Sequence, residues 1–397
     1  MEAGAQNVAG AQSEAGAVER RLNSREVVFL LCILSLIALS LFTAFVTRMY
    51  HKKVHTLADD YFSYGEERFQ AGDTAAALTD YQNALVYSPN NTKFQFHLAE
   101  ALAAAGRYDQ ARPYLLALLS EAPGSGEVNL QLARIAAHNG AMSDALRYYQ
   151  GAIYGEWPDD SVAMRWHIRH ALCEYLIAKK AIGQATPAVI DLAENTPDGD
   201  VGKQKIVGQL LLVTGQWNRA QILYRALLTA DRFDEEALAG AGRAAFELGE
   251  YKDALEDFNR LSPERRNQPD IARYDEMAHR VFVVNPFLGG LSQQVKAQRA
   301  ANALALAETR AQSCAKQAGV SLAETPPRSE LQIAYATNEK MSPDWSARDL
   351  QRFPDRLDAA MQTTFDIENA AAKTCGEPTG DDRALWLLGH SRMMVNR

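Results

Sequence analysis

One pattern recurs at a spacing of 34 residues across the middle of this chain and restricts the folds that it can adopt. Each copy contains an alanine that is followed four positions later by a large apolar residue, and most copies also contain a proline near their end. Six extra residues separate the third copy from the fourth. The alanines of the six copies are Ala77, Ala111, Ala145, Ala185, Ala220 and Ala254. A small residue stands twelve positions before each alanine, namely Gly65, Ala99, Ala133, Cys173, Gly208 and Gly242.

Each copy reads as two amphipathic helices joined by a tight turn. In the second copy, Phe94 and Leu98 belong to one apolar stripe at helical spacing, and Leu115 and Leu118 belong to the next. A single helix hairpin cannot bury such stripes alone, so neighbouring copies must stack on one another. Five positions before most of the alanines stands a turn glycine, namely Gly72, Gly106, Gly140, Gly215 and Gly249.

This spacing resembles that of tetratricopeptide repeats (TPR). The resemblance implies an all-α fold, in which helix hairpins stack as a right-handed superhelical solenoid and the first helix of each hairpin lines a concave groove. We expect a TPR array over residues 58–268, then a capping helix at 269–285 and a C-terminal helical module at 286–397. The expected repeats are 58–91, 92–125, 126–159, 166–199, 200–234 and 235–268. Helices are expected in the module at 292–317, 355–373 and 381–395.

An uncharged apolar stretch from Val27 to Val46 is long enough to cross a bilayer as one helix. A buried core helix or a cleaved signal peptide is the alternative, but the stretch is not amphipathic and lacks a clear cleavage site. Residues 1–26 before it are predicted to be a disordered tail, since they contain few large apolar side chains. Residues 47–57 form a juxtamembrane segment that leads directly into the first repeat.

The basic residues that flank the apolar stretch do not decide its orientation, because three stand on each side. We expect a single-pass protein of a bacterial inner membrane with its C-terminal domain in the periplasm, and a cytoplasmic domain is the alternative. Of the four cysteines, Cys32 lies in the span and Cys173 at a packing position. A bridge between Cys314 and Cys375 would suit an exported domain, although two unrelated thiols remain possible from the sequence.

The resemblance also identifies which side chains would line the groove. Aromatic rings beside charged groups suit the capture of a peptide or helix from a protein partner, although packing of the rings against neighbouring helices is the alternative. The lysine and asparagine clamp that this family uses for C-terminal carboxylates is not evident. The expected groove residues are Phe62, Glu66, Phe69, Lys93, Phe96, Glu100, Leu130, Arg134, His138, His167, His170, Glu174, Lys205, Gln209, Arg243 and Phe246.

Other chemistry is poorly supported by the sequence. Motifs for phosphate, dinucleotide or zinc-protease sites are missing, and the net charge of −8 disfavours nucleic-acid binding. His170 and Glu174 are spaced for a metal site on one helix face, but Cys173 between them falls at the packing position. We therefore expect a polar part of the groove there, and we expect no metal, cofactor or small-molecule substrate.

These observations predict a non-catalytic, membrane-anchored TPR scaffold or adaptor that binds protein partners in envelope assembly or secretion. The alternative is an enzyme or small-ligand-binding module in residues 286–397, presented by the array. Its candidate residues would be Glu308, Arg310, Asp344, Trp345 and Asp382.

Overall fold

The structure is a computed structural model that describes residues 24–158, 162–341 and 345–395. Within these ranges the regular elements are helices, and one isolated β-bridge joins Ser125 to Glu156. The chain forms two compact units, residues 1–157 and 158–397. Most of the tail predicted for residues 1–26 lies outside the described ranges.

The first unit consists of three helix hairpins. Its turn glycines Gly72, Gly106 and Gly140 adopt positive φ angles of 83°, 74° and 73°, which a glycine accepts without a steric penalty. Polar side chains cap α2, α3 and α5, as where Asp73 accepts the backbone N–H of Ala76. The helices are α1 (Ser24–Gln70), α2 (Thr74–Tyr87), α3 (Thr92–Ala104), α4 (Tyr108–Glu121), α5 (Gly126–His138) and α6 (Met142–Tyr154).

Helix α1 is 47 residues long and combines the apolar stretch with the first helix of the first repeat. Side chains from Val28 to Val46 are all exposed, and by length and composition this part of the helix could cross a membrane. Residues 47–57, expected to be a juxtamembrane segment, continue the same helix without a break. The apolar stretch and the first repeat therefore share one rigid element.

Three further hairpins open the second unit. Tyr224 is fully buried, and a Cβ added at Gly208 or Gly240 would lie 2.5 or 2.3 Å from its ring, so only glycine fits on either side. Lys180 takes the position of the turn glycine in the fourth copy and adopts a positive φ of 57°. The helices are α7 (Val162–Ala178), α8 (Ile182–Glu194), α9 (Val201–Val213), α10 (Trp217–Ala230), α11 (Glu235–Glu247), α12 (Tyr251–Phe258), α13 (Pro263–Arg266) and α14 (Pro269–Val284).

The C-terminal module shares one hydrophobic core with these hairpins, because buried residues from Trp166 to Leu388 form a continuous cluster. Helix α14 occupies the stretch expected to cap the array, but α19 packs against it in turn. Cys314 of α15 and Cys375 of α18 form a disulfide, with Cα atoms 5.8 Å apart. The helices are α15 (Gln293–Ala318), α16 (Glu330–Met341), α17 (Ala347–Arg352), α18 (Leu357–Cys375) and α19 (Gly380–Val395).

The division into two compact units falls inside the stretch expected to be a single array. We expected one array over residues 58–268 and a separate module after it, whereas the two units divide near Trp157. The division lies next to the point where six extra residues interrupt the 34-residue spacing of the sequence. Helices α16 and α17 were not expected, since their short sequences lack clear apolar periodicity.

Candidate interaction surfaces of the two units

A line of polar side chains crosses the first helices of the three hairpins in the first unit. His97 of α3 places Nδ1 3.2 Å from a carboxylate oxygen of Glu66 on α1 and 3.6 Å from one of Glu100 on its own helix. Glu100 accepts a 2.9 Å hydrogen bond from the side-chain amide of Gln131 on α5. We call Glu66, His97, Glu100 and Gln131 the polar ladder, and it joins three successive first helices.

The ladder is anchored at one end by a buried tyrosine. Tyr81 of α2 is fully buried, and its hydroxyl donates a hydrogen bond to Glu66. Burial and the hydrogen bond to Glu66 both raise the pKa of Tyr81 above its ordinary value. Tyr81 therefore stays protonated and holds the Glu66 carboxylate at the surface of the first helices.

Phe62 was expected on the groove wall, and the structure corrects this expectation. Its side chain is only 8% exposed, and its ring stacks on Phe94 at a centroid distance of 4.7 Å. Tyr81 covers a second side of the ring at 5.7 Å, and the Lys93 ammonium lies 4.6 Å from the ring centroid. Phe62 therefore belongs to the hydrophobic packing between the first two hairpins.

The other first-helix positions of this unit differ in exposure. Phe69, Phe96 and Glu100 are half-buried, whereas Arg134 and His138 are exposed. Leu130, also expected on the wall, is buried in the core. The His138 ring lies 4.2 Å from that of Tyr108 on α4. The accessible wall thus combines two phenylalanine rings with carboxylate, guanidinium and imidazole groups.

In the second unit, the first helices carry an aromatic and cationic cluster. The rings of Trp166 and His170 on α7 stack with centroids 5.3 Å apart, and the Lys203 ammonium of α9 lies 5.1 Å from the Trp166 centroid. His167 and Glu174 are exposed, and Glu174 lies 3.8 Å from the imidazole of His170. Trp166 and Lys203 were not among the groove residues expected from the sequence.

The possible metal site on α7 does not assemble. Cys173 is fully buried, and burial raises the pKa of its thiol to about 12, so the thiolate that binds metals is disfavoured. Within the described ranges, no group of three or more histidine, cysteine or acidic side chains could hold a metal ion. His167 and His170 are better understood as part of the polar face of α7.

The remaining wall residues of the second unit are tied into contacts along the first helices. Lys205 of α9 lies 2.7 Å from Asp234 and 3.5 Å from Glu236 at the start of α11. Arg243 of α11 donates a 3.3 Å hydrogen bond to Gln209 of α9 and places its guanidinium 5.6 Å from the Tyr274 ring of α14. Phe246, one turn further along α11, is 9% exposed and packs against Tyr274.

The residues considered for a catalytic module do not converge on one site. Glu308 accepts a hydrogen bond from Asn338, Trp345 is buried, and Asp344 lies outside the described residues. Arg310 lies 3.9 Å from Asp382 and also contacts Glu368, at 3.2 Å.

Glu368 of α18 is a fully buried carboxyl group that the sequence did not single out. Burial raises its pKa to about 8, with a further contribution from Asp382, while Arg310 acts in the opposite direction. Glu368 stands among the buried positions of α18. The only signal in the sequence was therefore a charged residue at a helix position that faces the core. The surrounding contacts join α15, α18 and α19, which fits a structural network better than a reactive centre.

Comparison with known families matches part of the repeat region. A tetratricopeptide repeat model matches residues 68–135 and 102–154, and a second one matches residues 208–269. Among curated proteins, no relative matches the chain.

The chain is also similar to several solved repeat proteins. One is a tetratricopeptide repeat protein from Parabacteroides merdae, with 14% identity, 62% of this chain and 97% of that chain covered, and a TM-score of 0.38. PilF of Pseudomonas aeruginosa is 14% identical, with 56% and 98% covered and a TM-score of 0.39. PilW, a type IV pilus biogenesis factor, is 16% identical, with 54% and 97% covered and a TM-score of 0.37. Likenesses of this size do not bear on function.

Proposed function

Because this chain is a tetratricopeptide repeat protein, we propose that the first helices of its hairpins hold a segment of a protein partner close to a membrane. The proposed role is that of a non-catalytic scaffold or adaptor in envelope assembly or secretion. Its partner would be an extended peptide or a helix, because both can lie across successive first helices.

The polar ladder is the observation that carries this proposal. Packing between hairpins needs only apolar contacts, yet Glu66, His97, Glu100 and Gln131 form a chain of polar contacts on the first-helix face. These side chains are mostly half-buried and keep hydrogen-bonding capacity for a ligand. Phe69 and Phe96 beside them supply apolar area that a partner could cover.

Two features support a location at a membrane and outside the cytoplasm. Helix α1 continues the apolar stretch directly into the first hairpin, so an inserted span would keep that hairpin near the bilayer. The disulfide between Cys314 and Cys375 is the kind of bond that persists in oxidising compartments. We therefore place the repeats on the exported side of the membrane.

Site-specific photo-cross-linking tests the groove. A photoreactive phenylalanine analogue at Phe69 or Phe96 of the full-length protein should cross-link the same partner in intact cells, because both positions face the first-helix surface. Matched control positions are Val86 on α2 and Tyr114 on α4, whose side chains are 72% and 38% exposed on second helices. Identification by mass spectrometry of one partner from both groove positions is the expected result. Equal cross-linking from the control positions would contradict groove binding.

A further inference from the structure

A cavity of about 590 Å³ lies in the second unit, where the C-terminal helix α19 faces α11 and α14. Cavities of this size commonly hold ligands in proteins. One wall comes from the repeats and from α14, and the other comes from α19 and the residues just before it. The cavity therefore exists only because the C-terminal module folds back against the last hairpin.

Aromatic and flexible apolar side chains form part of its lining. The rings of Phe246 and Tyr274 meet edge to face with centroids 5.1 Å apart. Trp386 of α19 and Met277 of α14 also line the cavity, and both are only partly buried. Aromatic walls of this kind favour an apolar side chain of the ligand, and a flexible methionine in the lining adapts to the shape of that side chain.

The charged groups at the cavity are not all paired. Arg280 lies 2.9 Å from Glu276 and 2.8 Å from Asp381, so its charge is compensated. Arg273 and Arg383 are exposed, and neither takes part in a salt bridge among the described residues, although the Arg273 guanidinium lies 4.9 Å from the Tyr274 ring centroid. A guanidinium group is well suited to bind a carboxylate through paired hydrogen bonds.

Two acidic side chains limit the kind of anion that fits. Glu247 and Glu377 line the same cavity, and Glu247 accepts a 3.3 Å hydrogen bond from the Tyr274 hydroxyl. Their negative charge would repel a phosphate more strongly than a single carboxylate. With Glu276, the lining carries three glutamates against three arginines, so the two arginines without an ion pair suit one carboxylate and not a multiply charged anion.

The cavity lies next to the first-helix face of the second unit. Arg243, on that face, lies one helical turn before Phe246 on α11, and its guanidinium contacts the ring of Tyr274. A chain that follows the face past Arg243 would therefore reach the cavity. The side chains that line the cavity would then contact the next residues of the same ligand.

We propose that this cavity is an anchor site for a partner polypeptide, and that it takes one aromatic or large aliphatic side chain whose neighbouring residue bears a carboxylate. The apolar side chain lies among Phe246, Tyr274 and Trp386, and the carboxylate pairs with Arg273 and Arg383. This inference rests on the proposed function, and it gives the C-terminal module a role in selecting the partner.

Fluorescence polarisation with short labelled peptides tests the anchor site. The probes are glycine–serine peptides that contain one central pair, either Phe-Asp, Phe-Asn or Ala-Asp, and the protein is the full chain in phospholipid nanodiscs. We expect the Phe-Asp probe to bind about fivefold more tightly than either of the others, because only it satisfies both parts of the site.

A charge-removing variant assigns this preference to the two arginines. Replacing both exposed side chains, Arg273→Gln and Arg383→Gln, should weaken binding of the Phe-Asp probe about fivefold and leave the Phe-Asn probe unchanged. Arg219→Gln is the matched control, because Arg219 is an exposed arginine on α10 and does not line the cavity. Equal affinity for all probes, or an effect of the Arg219 variant as large as that of the double variant, would overturn the proposal.

The proposals for the anchor site and for the groove can be rejected independently of each other. If the Arg273/Arg383 double variant still cross-links its partner through Phe96 while no probe discriminates, the anchor site is wrong and groove binding stands. If probes discriminate as expected but Phe69 and Phe96 give no specific cross-link, the cavity binds a ligand and the proposed function of the repeats is wrong.

Discussion

At the scale of single residues, equivalent repeat positions have different roles. Phe62 and Phe96 stand 34 residues apart at the same place in successive first helices, yet Phe62 is buried and Phe96 is half-exposed. The difference comes from the neighbouring hairpin, where Phe94 stacks on Phe62. The residue equivalent to Phe94 in the next hairpin is Val128, which has no ring to stack on Phe96.

Substitution of these two phenylalanines separates packing from binding. Phe62→Ala should lower the free energy of unfolding by about 3 kcal/mol, because it leaves a cavity between Phe94 and Tyr81. Phe96→Ala should cost less than about 1 kcal/mol and mainly weaken partner capture. Denaturant unfolding of the full chain, followed by circular dichroism, measures both changes in the free energy of unfolding. The control is Phe233→Ala, because the Phe233 side chain is 66% exposed. Equal destabilisation by Phe62→Ala and Phe233→Ala would show that Phe62 is not a packing residue.

The sequence could predict the close contacts between helices but not the exposure of the groove wall. The small residues of the pattern could be assigned to close helix contacts, because a position next to a buried ring admits little volume, as at Gly208 beside Tyr224. Exposure of the wall residues could not be assigned, since it depends on which side chain the next hairpin supplies. Two members of the polar ladder, Glu66 and Glu100, were predicted from the repeat register. His97 was not, because it falls outside the positions that the register assigns to the groove.

At the scale of helices, two features of the structure differ from what the neighbouring sequence would predict. Lys180 adopts a left-handed conformation where the other five copies have glycine, because the stacking of α7 and α8 fixes the turn between them. In the C-terminal module, α15 and α18 are distant in sequence but joined by the disulfide between Cys314 and Cys375, and the lining of the cavity depends on how α19 packs beside them. Neither feature follows from local periodicity.

Removal of the disulfide should loosen this module selectively. Replacing Cys314 and Cys375 by serine opens a loop defined by a sequence separation of 61 residues, which corresponds to about 4 kcal/mol at most. Amide hydrogen exchange should accelerate in α15, α18 and α19 and stay unchanged in α2 to α6. Uniform acceleration in both units would contradict a local role.

Labelling of the native thiols also tests the location of this module. In intact cells, Cys314 and Cys375 should react with a thiol reagent only after reduction. Thiols that are already free, and that become reactive only on lysis, would contradict the export proposed for the repeats.

At the scale of the whole molecule, the chain consists of an apolar helical segment and two compact repeat-containing units. The core of the second unit is continuous from Trp166 to Leu388, so the C-terminal module is part of that unit and not an independent domain. The sequence pattern alone did not indicate this, since the module lacks the 34-residue spacing and its contacts with the repeats are non-local.

Deletion of residues 1–53 tests whether the apolar segment is needed for folding. The shortened chain should be soluble without detergent and keep the helical content of the remaining residues, because the side chains from Val28 to Val46 make no buried contacts. Circular dichroism and size-exclusion chromatography measure both properties. Aggregation of the shortened chain, with recovery in detergent, would indicate that the apolar segment packs on the repeats.

The unbroken course of α1 has a consequence for how partners would be encountered. In the proposed arrangement, the twelve residue-to-residue steps from Val46 to Ala58 add about 18 Å of helix between the span and the first hairpin, and the helix has no break there. Any rotation of the span within the lipid plane then turns the first hairpin by the same angle. Partners that are themselves attached to the membrane at a similar height would search for this protein in two dimensions instead of three.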